Sequence, residues 1–553
     1  MPKLSAPERS DSRVIEFAVL LLIVAVGALL RFHNLDLKSL WYDEALTYDL
    51  VQGSLAETFL RNTTENSAPP FFPLLLALVT GANATETALR LPAVIAGILA
   101  IPALWFLARQ YLPGPLALVP PLLVAIAPTQ IEFSQQVREY SLSFTVSVLL
   151  ILAYQRFLDV PSARRALGLA LLLAFGLLIQ YGLGLLAAGL GLVACVDLWF
   201  RPERRTHLRR WFLAQLPGGL VVGFLALTTL PGQRAAMAPG LVTYLADRHW
   251  DGTAAGLYTL LASPRADFVN FAFPSRLMLA LTAVGVLLWL FDRTRWRVAG
   301  FLLVPVALTV LTALVGVYPF GGIRQDLFLL PLVYVVALEP LRWLANRVGA
   351  PSGAMDIPIA RERAPTGAMD ISIARERAPT GAMDISIARV GAPLGAMGRW
   401  IAAKAAPTVI AAVFIAIGVP RTLALLESTG PEPVRLVVQT LERRLAVAPG
   451  DPIYVYSGAA PAFRYYWAGR REPWIVGAKH LSGLDQTLAD AALPAVHAEI
   501  RRELQQTGYL WLIVSHITDR DHRALMAPLE AEFPVSTLQA SGGAYLYFVK
   551  APR

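Results

Sequence analysis

Charge is scarce in this chain: 16 % of its 553 residues are Asp, Glu, Lys or Arg, against 56 % that are hydrophobic. A mean hydropathy of +0.53 excludes a water-soluble protein of this length and points to many membrane crossings. Cysteine is almost absent. Cys195 stands alone inside an apolar run, so no intramolecular disulfide forms and any soluble part folds without staples. The part beyond about residue 421 has no phosphate loop, no cluster of metal ligands and no nucleophile elbow. The formal charge of +9 would suit a nucleic-acid binder if the arginines gathered on one soluble face. They fall instead in short loops beside apolar spans, which is a topology signal, and no nucleic-acid partner is expected.

What is present is a series of about 11 apolar segments, near 14–30, 89–108, 115–130, 138–157, 166–182, 183–200, 211–230, 277–291, 298–317, 326–345 and 400–420. Arg31-Phe-His-Asn34 follows the first with no small-residue cleavage site, so that segment reads as a retained anchor. If the spans alternate, Arg109, Arg164, Arg165, the run from Arg201 to Arg210, Arg293, Arg295 and Arg297 share one side, and the N-terminus joins them in the cytoplasm. Residues 69–82 are apolar but short and begin with prolines. A full crossing there would carry every later basic loop outside, so a shallow or re-entrant segment is expected. The outer side then receives 31–88, 131–137, 231–276, 318–325 and everything after about 421.

Gly-Ala-Met-Asp-Ile recurs from residues 353, 367 and 381, with a decayed copy at 395, a period of 14. Pro365 and Pro379 forbid a continuous helix, so 346–399 is expected to be a disordered, expendable cytoplasmic loop before a last crossing at 400–420. Strand-like 452–456, 509–514 and 544–549 alternate with helix-like 459–467 and 519–532. That pattern makes 421–553 a small α/β domain on the outer side.

Polar residues collect where spans meet the outer face. Asp43 and Glu44 follow the first span; acids held against a bilayer are usually functional, although Asp43 could equally cap a short helix with Glu44 in its first turn. Glu132, Gln135, Arg138 and Glu139 occupy a turn between two spans, where an Arg–Glu pair closing the loop is the plain alternative. Arg324 sits in Tyr318-Pro-Phe-Gly-Gly-Ile-Arg-Gln325, suited to a phosphate or to snorkelling at the interface. Arg90 opens a span with the same two readings.

The ordered set Leu-Trp-Tyr-Asp-Glu-Ala (40–45), Ala-Pro-Pro-Phe-Phe-Pro-Leu-Leu (68–75), Ala-Leu-Arg-Leu-Pro (88–92), Phe-Ser-Gln-Gln-Val-Arg-Glu-Tyr-Ser-Leu (133–142) and Tyr-Pro-Phe-Gly-Gly-Ile-Arg-Gln (318–325) resembles the GT-C superfamily of membrane glycosyltransferases. In particular it resembles bacterial family 39-like enzymes related to protein O-mannosyltransferases and aminoarabinose transferases. The resemblance is tight over about 31–160, reasonable to about 345 and absent from the repeat.

It implies a polytopic α-helical module over 1–345 and a variable outer domain. The reaction it implies is inverting, from a polyprenyl-phosphate-linked sugar to a protein, lipid or glycan acceptor at the outer face of the cell's inner membrane. Asp43 matches the catalytic acidic position, with Glu44 beside it. Arg324, Arg138 and Arg90 are the expected phosphate ligands, and Gln135, Glu139, Tyr140 and Tyr42 the expected substrate contacts. No cofactor is certain from the resemblance; a divalent cation, Mg or Mn, would sit at Asp43 and Glu44 if one binds. An Asp-x-Asp-like motif common in the superfamily is missing, with Gln135, Arg138 and Glu139 in its place, which puts metal dependence in doubt.

A transporter or a non-catalytic envelope assembly protein are the competing classes. Gln180 and Tyr181 among glycines would suit a transport path, but the spans show no internal symmetry.

Overall fold

The computed structural model describes residues 6–552, apart from 82–83, 237–244, 246–247, 350–390, 429, 448, 471 and 482–485. Among the described residues, seven helices are long and apolar enough to cross a membrane. An eighth crossing results if Gly114–Ile126 and Pro128–Ser134, bent by 55°, form one broken span. Ala163–Ile179, at 17 residues, and Arg276–Phe291, at 16, are slightly shorter. The chain is thus a polytopic helical membrane protein with a small sheet near its C-terminus.

The expected span at 326–345 is different in kind. It is broken into Arg324–Leu329, Pro331–Val336 and Glu339–Gly349. Residues 327–338 are all buried in protein, and Pro331 and Pro340 each remove a backbone donor, so this stretch is a core filler rather than a lipid-facing helix.

Four helices place the polar residues that follow the first span: α1 (Ala6–Phe32), α2 (Tyr42–Leu50), α3 (Leu55–Glu65) and α4 (Phe71–Val79), before α5 (Glu86–Ala108) re-enters the bundle. Nine residues make α4 about 13.5 Å long at 1.5 Å per residue, under half of a hydrocarbon core. The repeat from 353 to 390 lies outside the described residues. Its last residues, 391–398, open the long helix Gly391–Glu427, so the loop expected through 399 ends sooner.

At the opposite end of the bundle the basic loops converge. Arg297 pairs with Asp159 at 3.1 Å and with buried Asp197 at 3.3 Å; Arg201 and Arg204 also reach Asp197, at 3.0 and 3.4 Å. Arg210 donates to the Pro161 carbonyl at 3.1 Å.

The C-terminal sheet contains β1 (Ile453–Val455), β2 (Trp474–Val476), β3 (Tyr509–Ser515), β4 (Val535–Ser541) and β5 (Ala544–Lys550), in the order β2-β1-β3-β5-β4. β1 is parallel to β2 and β3, while β5 runs antiparallel to β3 and β4. β3 is buried on both faces because its side chains alternate. Leu510, Leu512 and Val514 pack under Gln486–Thr507 and Asp519–Glu532, whereas Trp511 and Ile513 pack under Val434–Leu445 and Ala460–Trp467. That second cluster does not stop at the sheet's helices. It continues through Leu40, Ala45 and Tyr48 into Phe72 and Leu76, so the C-terminal domain and the segment between α1 and α5 share one hydrophobic core.

Candidate active site

The loop after α1 is shaped by a buried ion pair. Arg90, one turn into α5, meets Glu44 with both guanidinium edges, Nε to Oε1 at 2.9 Å and Nη2 to Oε2 at 2.7 Å, with each side chain 1 % exposed. Its remaining donors go to the carbonyls of Leu35, Lys38 and Ser39 at 2.7–3.2 Å. Glu44 Oε1 also accepts from the Val137 amide at 2.8 Å, tying in the second polar turn. Every strong donor and acceptor of this pair is therefore spent on protein. Arg90 and Glu44 form a latch that shapes the site, not the phosphate ligand and paired catalytic acid expected from sequence.

Gln135 is likewise spent. Its amide donates to the carbonyls of Leu30, Arg31 and His33, closing the end of α1, and its oxygen accepts from Lys38 at 2.8 Å. This buried side chain does not face the cavity.

Asp43 points the other way. Trp41 is the residue at the N-cap of α2, so Asp43 is not the cap; both acids lie in the first turn and diverge, as neighbours on a helix must. Asp43 Oδ2 accepts from Arg324 at 2.6 Å and from Arg138 at 3.3 Å. Burial pushes the Asp43 carboxyl up, but the fields of Arg138 and Arg324 outweigh it and hold the group below the ordinary carboxylate range. Arg138 also reaches the Thr47 hydroxyl at 3.4 Å, and its Nε has no hydrogen-bond partner among the described residues. The Arg324 guanidinium stands 5.6 Å over the Trp41 ring and 5.7 Å over that of Tyr140.

A residue that sequence reasoning passed over sets Arg324. Asp326 Oδ2 accepts from the amides of Gly321, Gly322 and Ile323 at 2.9, 2.9 and 3.3 Å. Gly321 and Gly322 adopt φ of +136° and +75°, which side chains rarely tolerate, so the Gly-Gly pair and the acid after it define this turn together. The signal was in the sequence, as an Asp following a Gly-Gly turn.

Behind Arg138 opens a cavity of about 380 Å³. Arg138, Glu139, Tyr140 and Gln325 line one part, Tyr181 and Gln233 another, and Leu185, Leu230 and Val317 supply apolar wall. The Tyr181 hydroxyl donates to Gln233 at 2.8 Å, and Gln233 in turn donates to the carbonyls of Asn62 and Ala68. Gln180 and Tyr181 thus belong to the wall of a pocket beside Asp43. Tyr42 faces away from the cavity, toward the C-terminal domain, where burial pushes its phenol up to about 12.

The donor set does not fit a resident divalent cation at Asp43 and Glu44. The two carboxylates diverge, two guanidiniums already occupy Asp43, and no three His, Cys, Asp or Glu side chains converge among the described residues.

Residues 67–230 match the family described as dolichyl-phosphate-mannose-protein mannosyltransferase. The fold is similar to that of ArnT from Cupriavidus metallidurans bound to undecaprenyl phosphate, at 16 % identity, a TM-score of 0.54, and coverage of 96 % of this chain and 98 % of that one. It is also similar to the Archaeoglobus fulgidus oligosaccharyltransferase in complex with Zn and sulfate, at 13 % identity, a TM-score of 0.50, and coverage of 96 % and 72 %. No curated protein matches by sequence. By this family match and by its fold, the chain is similar to membrane glycosyltransferases of the GT-C superfamily. The sequence likeness, over 67–230, is to the mannosyltransferases, and the likeness to ArnT is one of fold.

Proposed function

We propose that this chain transfers a sugar from a polyprenyl-phosphate donor to an acceptor hydroxyl at the outer face of the cell's inner membrane, with inversion at the anomeric carbon. The observation that carries this reading is the pairing of one carboxylate, Asp43, with two guanidiniums, Arg324 and Arg138, beside a sugar-sized cavity.

In the resting site the arginines neutralise Asp43 and make it a weak base. A donor phosphate competes for the same guanidiniums and draws them off, so donor binding itself restores basicity to Asp43. Asp43 then takes the proton of the acceptor hydroxyl as that oxygen bonds to the anomeric carbon. The bond from that carbon to the phosphate oxygen breaks, and polyprenyl phosphate departs with the electron pair into the field of Arg324 and Arg138. Glu139 and Tyr140 line the cavity and are assigned to the sugar. The description of the ArnT structure, bound to undecaprenyl phosphate, supports the donor class.

Arg324→Lys keeps the charge and loses the planar fork. It is expected to weaken binding of undecaprenyl phosphate to the purified protein about tenfold, the weight of one charge-assisted hydrogen bond. Unchanged affinity in Arg324→Lys and Arg138→Ala alike would remove both from the phosphate site.

The basic loops converge at the end of the bundle opposite Asp43, which by the positive-inside rule supports a cytoplasmic place for that end and an outer place for the C-terminal domain. Alkaline phosphatase fused after Arg553 should be active in cells. A fluorescent reporter that folds only in the cytoplasm should stay dark, and fluorescence from it would invert the topology.

A further inference from the structure

The side chain next to the catalytic carboxylate belongs, by its contacts, to the C-terminal domain. Tyr42 lies flat on the ring of His516, centroids 4.0 Å apart and planes within 3°, and its hydroxyl lies 3.3 Å from His480 Nδ1. The two histidine rings meet edge to face at 5.4 Å. Glu432 locks the assembly from below: Oε1 accepts from His516 Nδ1 at 2.7 Å, and Oε2 accepts from the Tyr42 backbone amide at 3.1 Å. That amide is one of the free donors at the start of α2, so an acid from residue 432 acts as the helix cap that Trp41 cannot supply. His516 holds a left-handed backbone, φ +54°, which it shares with only one other non-glycine residue among those described. Strain of that kind persists where the surroundings fix it, and it aims the imidazole at Tyr42.

We infer that His516 and Glu432 are positioning residues for Asp43: the C-terminal domain caps α2 and clamps Tyr42, and so fixes the carboxylate one residue on. This gives that domain a part in turnover although it carries no reacting group. Burial holds His480 down at about 4, so the pair at Tyr42 includes a neutral imidazole at neutral pH.

The inference rests on the transfer reaction proposed above for its kinetic arm only. Full-length protein in nanodiscs would be compared as wild type, His516→Asn and His516→Phe. Asn tolerates the left-handed backbone and keeps a donor for Glu432 but removes the stacking ring; Phe keeps the ring and removes the donor. Hydrogen exchange at residues 42–50 should be at least several-fold faster in His516→Asn and intermediate in His516→Phe, with β3 and β5 as protected as in wild type. With undecaprenyl-phosphate-linked mannose as donor probe, kcat should fall about tenfold or more in His516→Asn while donor KM stays within about twofold, because a small displacement of the base costs turnover rather than binding. Wild-type exchange in α2, or protection lost across β3 and β5 as well, would overturn the inference, since His516 would then be a bystander or a folding residue. If wild type fails to transfer mannose, the exchange arm still decides, and that failure counts against the donor reading alone.

Discussion

Asp43→Asn is expected to lower turnover by about 10² or more while undecaprenyl phosphate binds as well as to wild type, or tighter. The two effects separate because the substitution acts twice. It removes the acceptor for the hydroxyl proton, and it releases Arg324 and Arg138 from the charge that neutralises them. A residue that merely supported the fold would lose both together.

The pH dependence follows from the same geometry. The guanidiniums hold the Asp43 carboxyl below the ordinary carboxylate range, so its acid limb in the free enzyme is shifted to lower pH, and the stability it contributes is lost as pH falls through the depressed value. Once the phosphate has drawn the arginines away, the carboxyl rises toward its ordinary range. An acid limb should therefore appear at higher pH in kcat than in kcat/KM. Near-normal transfer by Asp43→Asn, or a limb at the same pH in both parameters, would refute this account.

Glu44→Gln should do the reverse: damage the fold first. The Arg90–Glu44 pair is 1 % exposed on both sides, and removing one charge strands the other where water cannot reach it, at a cost of about 3–5 kcal/mol. Arg90→Met adds the loss of three carbonyl partners and should be worse. The check is the temperature at which detergent-solubilised protein loses its monodisperse state, which should drop by many degrees for Glu44→Gln and barely for Asp43→Asn. A normal unfolding temperature with lost turnover in Glu44→Gln would return Glu44 to the chemistry. Adjacent acids in one helical turn are thus told apart by opposite signatures.

Much of the fold was legible because bilayer physics writes long, plain signals. The long spans and the basic loops could be read from hydropathy and arginine placement, whereas the core segment at 326–345 has a span's composition and is exposed only by its prolines and its complete burial. In the C-terminal domain, β1, β3, β5 and two helices stood out as apolar or amphipathic runs. β2 has three residues, and β4, Val-Ser-Thr-Leu-Gln-Ala-Ser, is a polar, half-exposed edge strand, so neither carries a strong period.

Within the site, the motifs located the right turns but not the direction of each side chain. Asp43, Arg138 and Arg324 meet; Glu44, Arg90 and Gln135, equally polar in sequence, turn inward to hold backbone. No spacing rule separates those two groups, because the difference lies in tertiary contacts between residues 46 to 281 positions apart.

The clasp on α2 has a consequence for how this enzyme is made. Arg324 lies 281 residues beyond Asp43, and Glu432 lies 390 beyond Tyr42. A nascent chain that has inserted its first spans already carries Asp43, yet lacks both Arg324, proposed to engage the donor, and the cap that fixes the helix. On the proposed mechanism, chemistry waits until residue 432 has been made and has docked on α2. A truncated or stalled product would sit in the membrane as an inert protein, unable to spend lipid-linked sugar on the wrong acceptor.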